Sequence, residues 1–222
     1  MSTRSISKKS FSLLRGLSEN NSKDWFSENR DAFKRDVREP FADLLQQASE
    51  QLAEKGFLHH GSEKTMFRQH RDVRFSADKS PYKTNVSGLL TPTGTKAEQD
   101  GLIYVQLSAQ ESFLACGKYK LDNRVLLPIR RRILSEPEEF EAVLSDLKKA
   151  NLSFMNDDKL KSMPRGFESS RDHPFVDSLR LKSFCVKRDL TQKQWLDGTV
   201  VSEIVALANS CKKLLTFLDA CS

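Results

Sequence analysis

The chain has 222 residues, of which 38% are hydrophobic and 30% are charged. This length and composition are typical of a globular protein with a sizeable core, and they exclude a disordered or a fibrous chain. The 36 Lys and Arg residues outnumber the 30 Asp and Glu residues, giving a net charge of +6. A basic balance favours anionic partners without choosing among metabolites, nucleic acids and membrane surfaces. No apolar run approaches the roughly 20 residues of a transmembrane helix, so we expect no membrane partner.

The cysteines and the N-terminal residues indicate the cellular compartment of the protein. The four cysteines are widely spaced and form no metal-binding or redox motif: Cys116, Cys185, Cys211 and Cys221. We interpret them as reduced thiols, because a chain of this length without a secretory signal seldom depends on disulfides. The N-terminus has no apolar segment of the kind found in signal peptides, which predicts a cytoplasmic protein. With only four histidines and no phosphate-binding glycine motif, the sequence predicts neither a metal nor a cofactor.

The first quarter of the chain is predicted to be helical. After a flexible N-terminus at residues 1–10, the pattern predicts a short helix over Phe11–Leu17, and Ser22 is a good N-cap for a second helix. Apolar residues recur at three- and four-residue spacing from Phe41 to Leu52, which predicts a third helix that ends at Gly56.

The middle of the chain changes to the alternating pattern of β-strands. In one segment Ile103, Val105 and Leu107 alternate with more polar residues and mark a buried face. Turn-forming residues separate the segments, which predicts an antiparallel meander. The predicted strands are Thr84–Thr91, Leu102–Ala109 and Ser112–Lys120.

Helices return in the last part of the chain, with one further strand between them. Ser135 and Glu138 have the spacing of a capping box, and Pro137 suits a first helical turn. The predicted elements are a helix over Asn123–Leu134, a helix over Pro137–Ala150, a strand over Leu181–Lys187 and a helix over Thr199–Leu218. The whole order predicts a single α+β domain at residues 11–222, with a mainly antiparallel sheet packed against helices from both chain ends.

The segment Met66–Tyr82 reads M-F-R-Q-H-R-D-V-R-F-S-A-D-K-S-P-Y and carries an unusual concentration of charge. From Lys64 to Lys83 there are six Lys or Arg residues and two Asp residues, a net charge of +4. If Phe67–Phe75 is a strand, Arg71 lies on the face that holds the apolar residues. A guanidinium group in apolar surroundings needs a carboxylate partner or an anionic ligand.

Three interpretations of this segment follow. In the first, it binds a phosphate- or carboxylate-bearing ligand through Arg68, Arg71, Arg74, Lys79 and Lys182. An enzyme of this type would use Asp72 as base and Tyr82 or Lys79 as proton donor, although neighbouring arginines would lower the pKa of Asp72 and make it a poor base. In the second interpretation, the segment is an internal ion-pair network that holds a strand against a helix in a structural or interaction domain. In the third, it is a general charged patch of the surface.

The same segment resembles the signature of a family of uncharacterised proteins, domain of unknown function 2461 (DUF2461). The signature is Arg-x-x-Arg-Asp-x-Arg-Phe-x-x-[Asp/Asn]-Lys-x-x-Tyr. Here its positions are filled by Arg68, Arg71, Asp72, Arg74, Phe75, Asp78, Lys79 and Tyr82. Further similarity lies at Asn20-Asn21 with Trp25-Phe26, at Lys83-Thr84 directly after the signature, at Pro164–Phe167 and at His173-Pro174. The resemblance extends over most of the chain and implies no particular activity.

Two other basic stretches favour a different function. Residues 117–132 have a net charge of +5 and are followed by a compensating acidic block from Glu136 to Asp146, so these blocks either pair with each other or lie on solvated helix faces. Residues Arg180–Arg188 form a further basic stretch. If these cations face solvent together, they predict a nucleic-acid-binding module whose affinity falls steeply with salt.

Overall fold

The computed structural model describes residues 5–97 and 102–220. Its helices and strands follow one another in the order of an α+β fold, as predicted. The helices are α1 (Lys8–Glu19), α2 (Lys23–Phe33), α3 (Glu39–Glu54), α4 (Asn123–Ser135), α5 (Pro137–Lys149), α6 (Val176–Leu179), α7 (Gln192–Leu196), α8 (Val200–Ser210) and α9 (Lys212–Asp219). The strands are β1 (Asn85–Leu90), β2 (Leu102–Ser108), β3 (Ser112–Lys118) and β4 (Phe184–Leu190).

The four strands form one antiparallel sheet in the order β1-β2-β3-β4. Strands β1 and β2 pair with Val86 opposite Leu107 and with Gly88 opposite Val105. The buried face of β2 is the predicted one, because Ile103, Val105 and Leu107 are all fully buried. Three of the four strands begin within one residue of their predicted starts, which the alternating pattern explains.

The chain divides into two compact units. The first unit contains Met1–Glu98, Ile103–Leu114 and Asp189–Ala206, and the second contains Gln99–Leu102, Ala115–Arg188 and Leu207–Ser222. The single domain at residues 11–222 and the flexible N-terminus at residues 1–10 therefore stay predictions. Residues 1–4 lie outside the described part of the chain, and helix α1 already begins at Lys8.

In the first unit, helices α1–α3 bury side chains such as Phe11, Phe33 and Leu45 in the core. Ser22 caps α2 as predicted, since its hydroxyl accepts a hydrogen bond from the Trp25 amide at 3.2 Å. A single π-helical turn, Lys34–Arg38, joins α2 directly to α3. Helix α3 packs closely on β1 at Gly88, where a Cβ atom would lie only 2.6 Å from Leu45 Cδ1.

The second unit has an aromatic core. The ring of Phe140 on α5 lies 5.1 Å from the ring of Phe175 and 5.4 Å from that of Phe217 on α9. The rings of Phe154 and Phe184 meet edge to face at 5.5 Å. Such tilted and edge-on pairs add to the burial of apolar surface that stabilises this unit.

Three local predictions for the C-terminal part were wrong. Ser135 does not cap α5, because it is the last residue of α4 and its hydroxyl lies 3.4 Å from the Arg132 carbonyl oxygen. Strand β4 begins at Phe184 rather than Leu181, whose carbonyl accepts a hydrogen bond from a buried arginine side chain instead of joining the sheet. The long final helix is interrupted at Cys211, although the apolar stripe continues across the interruption from α8 to α9.

The described residues include no helix that is both long enough and apolar enough to cross a membrane.

Candidate functional site

The charged segment of the first unit is a loop that returns along β1, not the expected strand Phe67–Phe75. The Phe67 amide donates to the Ser87 carbonyl at 2.9 Å, and the Lys83 amide donates to the Gln69 carbonyl at 2.8 Å. Only isolated bridges form here, because the Gln69 side chain occupies backbone carbonyls that a continuous ladder would use.

Exposure nevertheless alternates along the first half of this loop, as the period of two predicts. Gln69 is buried, whereas Arg68, His70 and Asp72 are exposed. The alternation ends at a turn where Arg74 and the almost fully exposed Phe75 both face solvent. Arg71 therefore does not lie among apolar side chains, which corrects the expectation that followed from a regular strand.

Arg71 pairs with a carboxylate, which is one of the two kinds of partner that the sequence predicted for it. Its Nη1 donates to an oxygen of Asp78 and lies 3.3 Å from the Ser80 carbonyl, while Nη2 lies 3.3 Å from the Ser76 hydroxyl. These contacts close the loop between residues 71 and 80. Hydrogen bonds from the Ser80 hydroxyl and amide, together with Arg71, lower the pKa of Asp78 to about 2.

Asp72 is engaged by Arg74 in a second ion pair. Arg74 Nη2 donates to Asp72 Oδ2 at 2.7 Å and Arg74 Nε donates to Oδ1 at 3.0 Å, a bidentate arrangement. The hydrogen bond from Arg74 lowers the pKa of Asp72, in the direction that the sequence predicts. Asp72 is therefore ionised at neutral pH and has little basicity. Lys79 donates to the Val73 carbonyl at 3.0 Å and so binds the loop itself.

Tyr82 ends the signature and is held by packing. Its side chain is 7% exposed and its ring stacks on Phe26 of α2, with centroids 4.1 Å apart and planes inclined by 22°. The ring of His70 lies 4.9 Å away. The backbone of Tyr82 is bound from the loop between α1 and α2, where the Asn21 side chain makes two hydrogen bonds to it.

These contacts surround a pocket of about 340 Å³, which we call the motif pocket. Its walls come from the end of α1 and the loop that follows it, from the charged loop and from the beginning of β1. The lining residues are Ser18, Asn21, Arg71, Asp78, Ser80, Tyr82, Lys83, Thr84 and Asn85. A volume of this size fits a small molecule, and the lining is rich in groups that bind polar ligands.

Lys83 is the cation of the motif pocket that has no acidic partner in the described part of the chain. Its ammonium group is half-buried, lies 5.1 Å from the centroid of the Phe67 ring and has no carboxylate within 4.0 Å among residues 5–97 and 102–220. Burial, with a smaller contribution from the nearby Arg68 guanidinium, lowers the pKa of Lys83. Both causes disfavour the charged ammonium, and a bound anion would oppose them.

The motif pocket contains some of the predicted site residues and not others. Arg71 and Tyr82 line it, whereas Arg68, Asp72, Arg74 and Lys79 belong to the same loop without forming its lining. Lys182 is an exposed residue of the second unit, so its place in this site stays a prediction.

Sequence reasoning did not single out several of the lining residues: Asn21, Lys83 and Thr84 are examples. Asn21 lies within the family-like Asn20-Asn21 pair, and Lys83 entered through the charge of the segment and through the family-like Lys83-Thr84 pair, without a role in binding. Neither carries a local pattern that indicates a pocket, because the pocket forms only when the loop folds back on β1.

The basic stretch at residues 117–132 does not lie uniformly in solvent. Lys118 is 1% exposed and its Nζ lies 3.3 Å from the Leu218 carbonyl, and Arg130 is 4% exposed. Arg132 bonds Glu136 at 2.6 Å and Glu139 at 2.9 Å, so it joins the basic and acidic blocks as one of the two interpretations predicted. A nucleic-acid surface would depend on the remaining cations, and that function stays a prediction.

The thiols of the described residues are buried. Cys116, Cys185 and Cys211 are buried free cysteines, and Cys221 lies outside the described residues. Burial raises the pKa of Cys185 to about 12, which suppresses the thiolate form needed for nucleophilic attack. Across residues 5–97 and 102–220, no group of three His, Cys, Asp or Glu side chains could hold a metal ion.

Fold and loop together define an α+β protein in which the charged signature forms one wall of a polar pocket. Residues 9–217 match the family model described as "Conserved hypothetical protein (DUF2461)". Because this match covers nearly the whole chain, the protein belongs to the DUF2461 family, as the signature predicted. Neither the curated proteins nor the solved structures contain a significant match to this chain.

Proposed function

We propose that the motif pocket binds a small ligand that carries a phosphate or carboxylate group. The observation that supports this most strongly is Lys83, a half-buried ammonium in the pocket wall without a carboxylate within 4.0 Å in the described residues. An unpaired charge is costly to bury, and an anionic ligand would offset that cost.

The other pocket residues support an anion rather than a cation. Arg71 neutralises Asp78, so Lys83 leaves the lining with one net positive charge. The Ser18 hydroxyl accepts a hydrogen bond from Gln110 at 2.8 Å and keeps its own proton for a further acceptor. Phosphate and carboxylate oxygens are acceptors of this kind.

The proposal is for binding and does not include catalysis. Asp72 is ionised and held by Arg74, and the Tyr82 ring is fixed between Phe26 and His70. Their roles as base and donor are not needed for the pocket to hold an anion.

A thermal-shift titration tests the proposal. Wild type, Lys83→Gln and Lys55→Gln would be titrated with inorganic phosphate, pyrophosphate, glycerol phosphate and succinate. Lys55 is the matched control, because it is exposed and does not line the pocket. At one hundred times the dissociation constant, ligand stabilises a protein by about 2.7 kcal/mol. For this chain length that corresponds to about 5–10 °C in Tm.

We expect at least one of these anions to raise Tm in wild type and Lys55→Gln but not in Lys83→Gln. Absence of any shift, or an equal shift in Lys83→Gln, would contradict the proposal. A short oligonucleotide, tested at two salt concentrations, covers the alternative function. If only the oligonucleotide raised Tm, and if that increase disappeared at high salt, the result would favour nucleic-acid binding instead.

A further inference from the structure

A second pocket lies in the second unit, between helix α4 and the loop at residues 164–170. It has a volume of about 600 Å³ and combines cationic with apolar walls. Three arginines contribute to it: Arg130 and Arg131 from α4 and Arg165 from the loop. The lining contains no Asp or Glu among the described residues. We call it the arginine pocket.

Arg130 is the deepest of these cations. Only 4% of its surface is exposed, and two of its nitrogens are held by backbone carbonyls. Nε donates to Leu179 at 2.7 Å and Nη2 donates to Leu181 at 3.0 Å. Within the described residues, Nη1 has no hydrogen bond and no carboxylate lies within 4.0 Å of the guanidinium.

This arrangement orients a buried charge without neutralising it. Carbonyl oxygens satisfy two N–H groups of Arg130, but they carry only partial charges, so the positive charge remains poorly compensated. Burial accordingly lowers the pKa of Arg130. An anion in the pocket would supply the missing charge and could accept from the remaining N–H groups.

The other two arginines extend this positive character to the surface. Arg131 and Arg165 are exposed, and neither forms an ion pair within residues 5–97 and 102–220. Glu168 follows in the same loop, but it is not part of the lining and its carboxylate accepts from the Gly166 amide at 2.9 Å. The opening of the pocket is therefore cationic as well.

The remaining wall is apolar. Leu127, Leu134 and Phe167 line the pocket, and Leu127, at 38% exposure, is one of four large hydrophobic side chains that are exposed in the described residues. We propose that the arginine pocket binds an organic anion whose carboxylate or phosphate head contacts Arg130, Arg131 and Arg165 and whose apolar body covers the leucines. This site is separate from the motif pocket and does not depend on the function proposed there.

Isothermal titration with octanoate, octyl phosphate and inorganic phosphate tests this site and identifies the head group. We expect at least one of the two amphiphiles to bind wild type with one-to-one stoichiometry. The amphiphile that binds more tightly identifies the preferred head group. Inorganic phosphate should bind at least about tenfold more weakly, a difference of about 1.4 kcal/mol, because it leaves the apolar wall uncovered.

Substitutions of Leu127 give the most discriminating variants, because this exposed side chain can be replaced without disrupting the core. Leu127→Glu should weaken amphiphile binding more than Leu127→Gln, since it adds a repelling charge as well as removing apolar contact. Arg165→Gln should also weaken binding, and Arg15→Gln, an exposed arginine outside the pocket, should leave it unchanged.

A diazirine-bearing octanoate locates the site independently of affinity. After photolysis, the labelled peptides should contain residues 127–134 or 164–170. Failure of both amphiphiles to bind would overturn the proposal, as would labelling confined to other peptides or equal affinity in Leu127→Glu and Leu127→Gln. The motif-pocket variant Lys83→Gln should retain amphiphile binding, so the two proposals can fail separately.

Discussion

The side chain of Asn21 bonds the backbone of Tyr82 twice. Its Nδ2 donates to the Tyr82 carbonyl at 2.9 Å, and its Oδ1 accepts from the Tyr82 amide at 3.1 Å. Sixty-one residues separate the two, so this contact joins the loop between α1 and α2 to the end of the charged loop. Together with the stacking of Tyr82 on Phe26, it sets the position of one wall of the motif pocket.

Asn21→Ala should lower the free energy of unfolding by about 1–3 kcal/mol, because two hydrogen bonds are lost and each contributes about 0.5–1.5 kcal/mol. It should also weaken anion binding in the motif pocket, whose wall is no longer fixed. Urea denaturation measures the first effect, and the thermal-shift titration measures the second.

Asn20→Ala is the matched control. Asn20 is exposed, and its side chain makes a local hydrogen bond to the Gly16 carbonyl at 3.1 Å. We expect a smaller loss of stability and unchanged anion binding. Equal effects of the two variants on binding would show that the contact with Tyr82 does not organise the pocket.

Asp78 should make stability depend on pH in the acidic range. Its pKa is about 2 in the folded protein, against an ordinary value of 3.8. Between these two values the unfolded chain binds more protons than the folded one, so unfolding becomes easier as the pH falls. The contribution is complete above the ordinary value and is lost as the pH falls through about 2.

Asp78→Asn should therefore reduce the loss of stability on acidification. Chemical denaturation at a series of pH values from 5 down to 2 measures this slope in wild type and variant. Asp146→Asn serves as the comparison. The pKa of Asp146 is also lowered, but the lysines that lower it belong to the second unit and not to the charged loop. An unchanged slope in Asp78→Asn would contradict the ion pair with Arg71.

Gly117 should not tolerate a side chain. Its φ angle is +126°, and a Cβ atom there would lie 2.1 Å from the Phe184 carbonyl oxygen. Backbone strain and a clash with backbone atoms combine, so Gly117→Ala should cost about 3 kcal/mol or more. Denaturant unfolding, or loss of soluble protein, measures the effect.

Gly198→Ala separates the two causes. Gly198 also has a positive φ angle, +73°, but no atom lies within 4 Å of the position that its Cβ would take. We expect a cost of about 1 kcal/mol from conformation alone. Equal losses of unfolding free energy in Gly117→Ala and Gly198→Ala would contradict the close approach of β3 and β4 at Gly117.

Much of the fold could be predicted because hydrophobic periodicity determines it locally. The stripes of α1–α5 and the alternation of Ile103, Val105 and Leu107 in β2 appear directly in the sequence. The errors arose where a side chain forms a hydrogen bond to a backbone carbonyl. Arg130 holds the carbonyls of Leu179 and Leu181 and so delays the start of β4, and no local pattern in the sequence reveals that long-range contact.

The candidate site could be predicted in part. The sequence identified the charged segment, the need of Arg71 for a carboxylate or an anionic ligand, and the low basicity of Asp72. It could not identify which cation lacks a partner. Charge counting treats Arg71, Arg74 and Lys83 alike, whereas folding pairs the first two with Asp78 and Asp72 and leaves Lys83 in the pocket wall.

The most direct test of the motif pocket is a pH titration of Lys83 itself. NMR on protein with isotope-labelled lysines reports the protonation of its ammonium group. The resonance is assigned with Lys83→Gln, and Lys55 is the internal reference. Without ligand, burial should hold the pKa of Lys83 below the ordinary lysine value. Inorganic phosphate should raise this pKa, because a nearby anion favours the charged ammonium. At constant pH it should leave the Lys55 resonance in place. A pKa of Lys83 that phosphate does not move would contradict anion binding at this site.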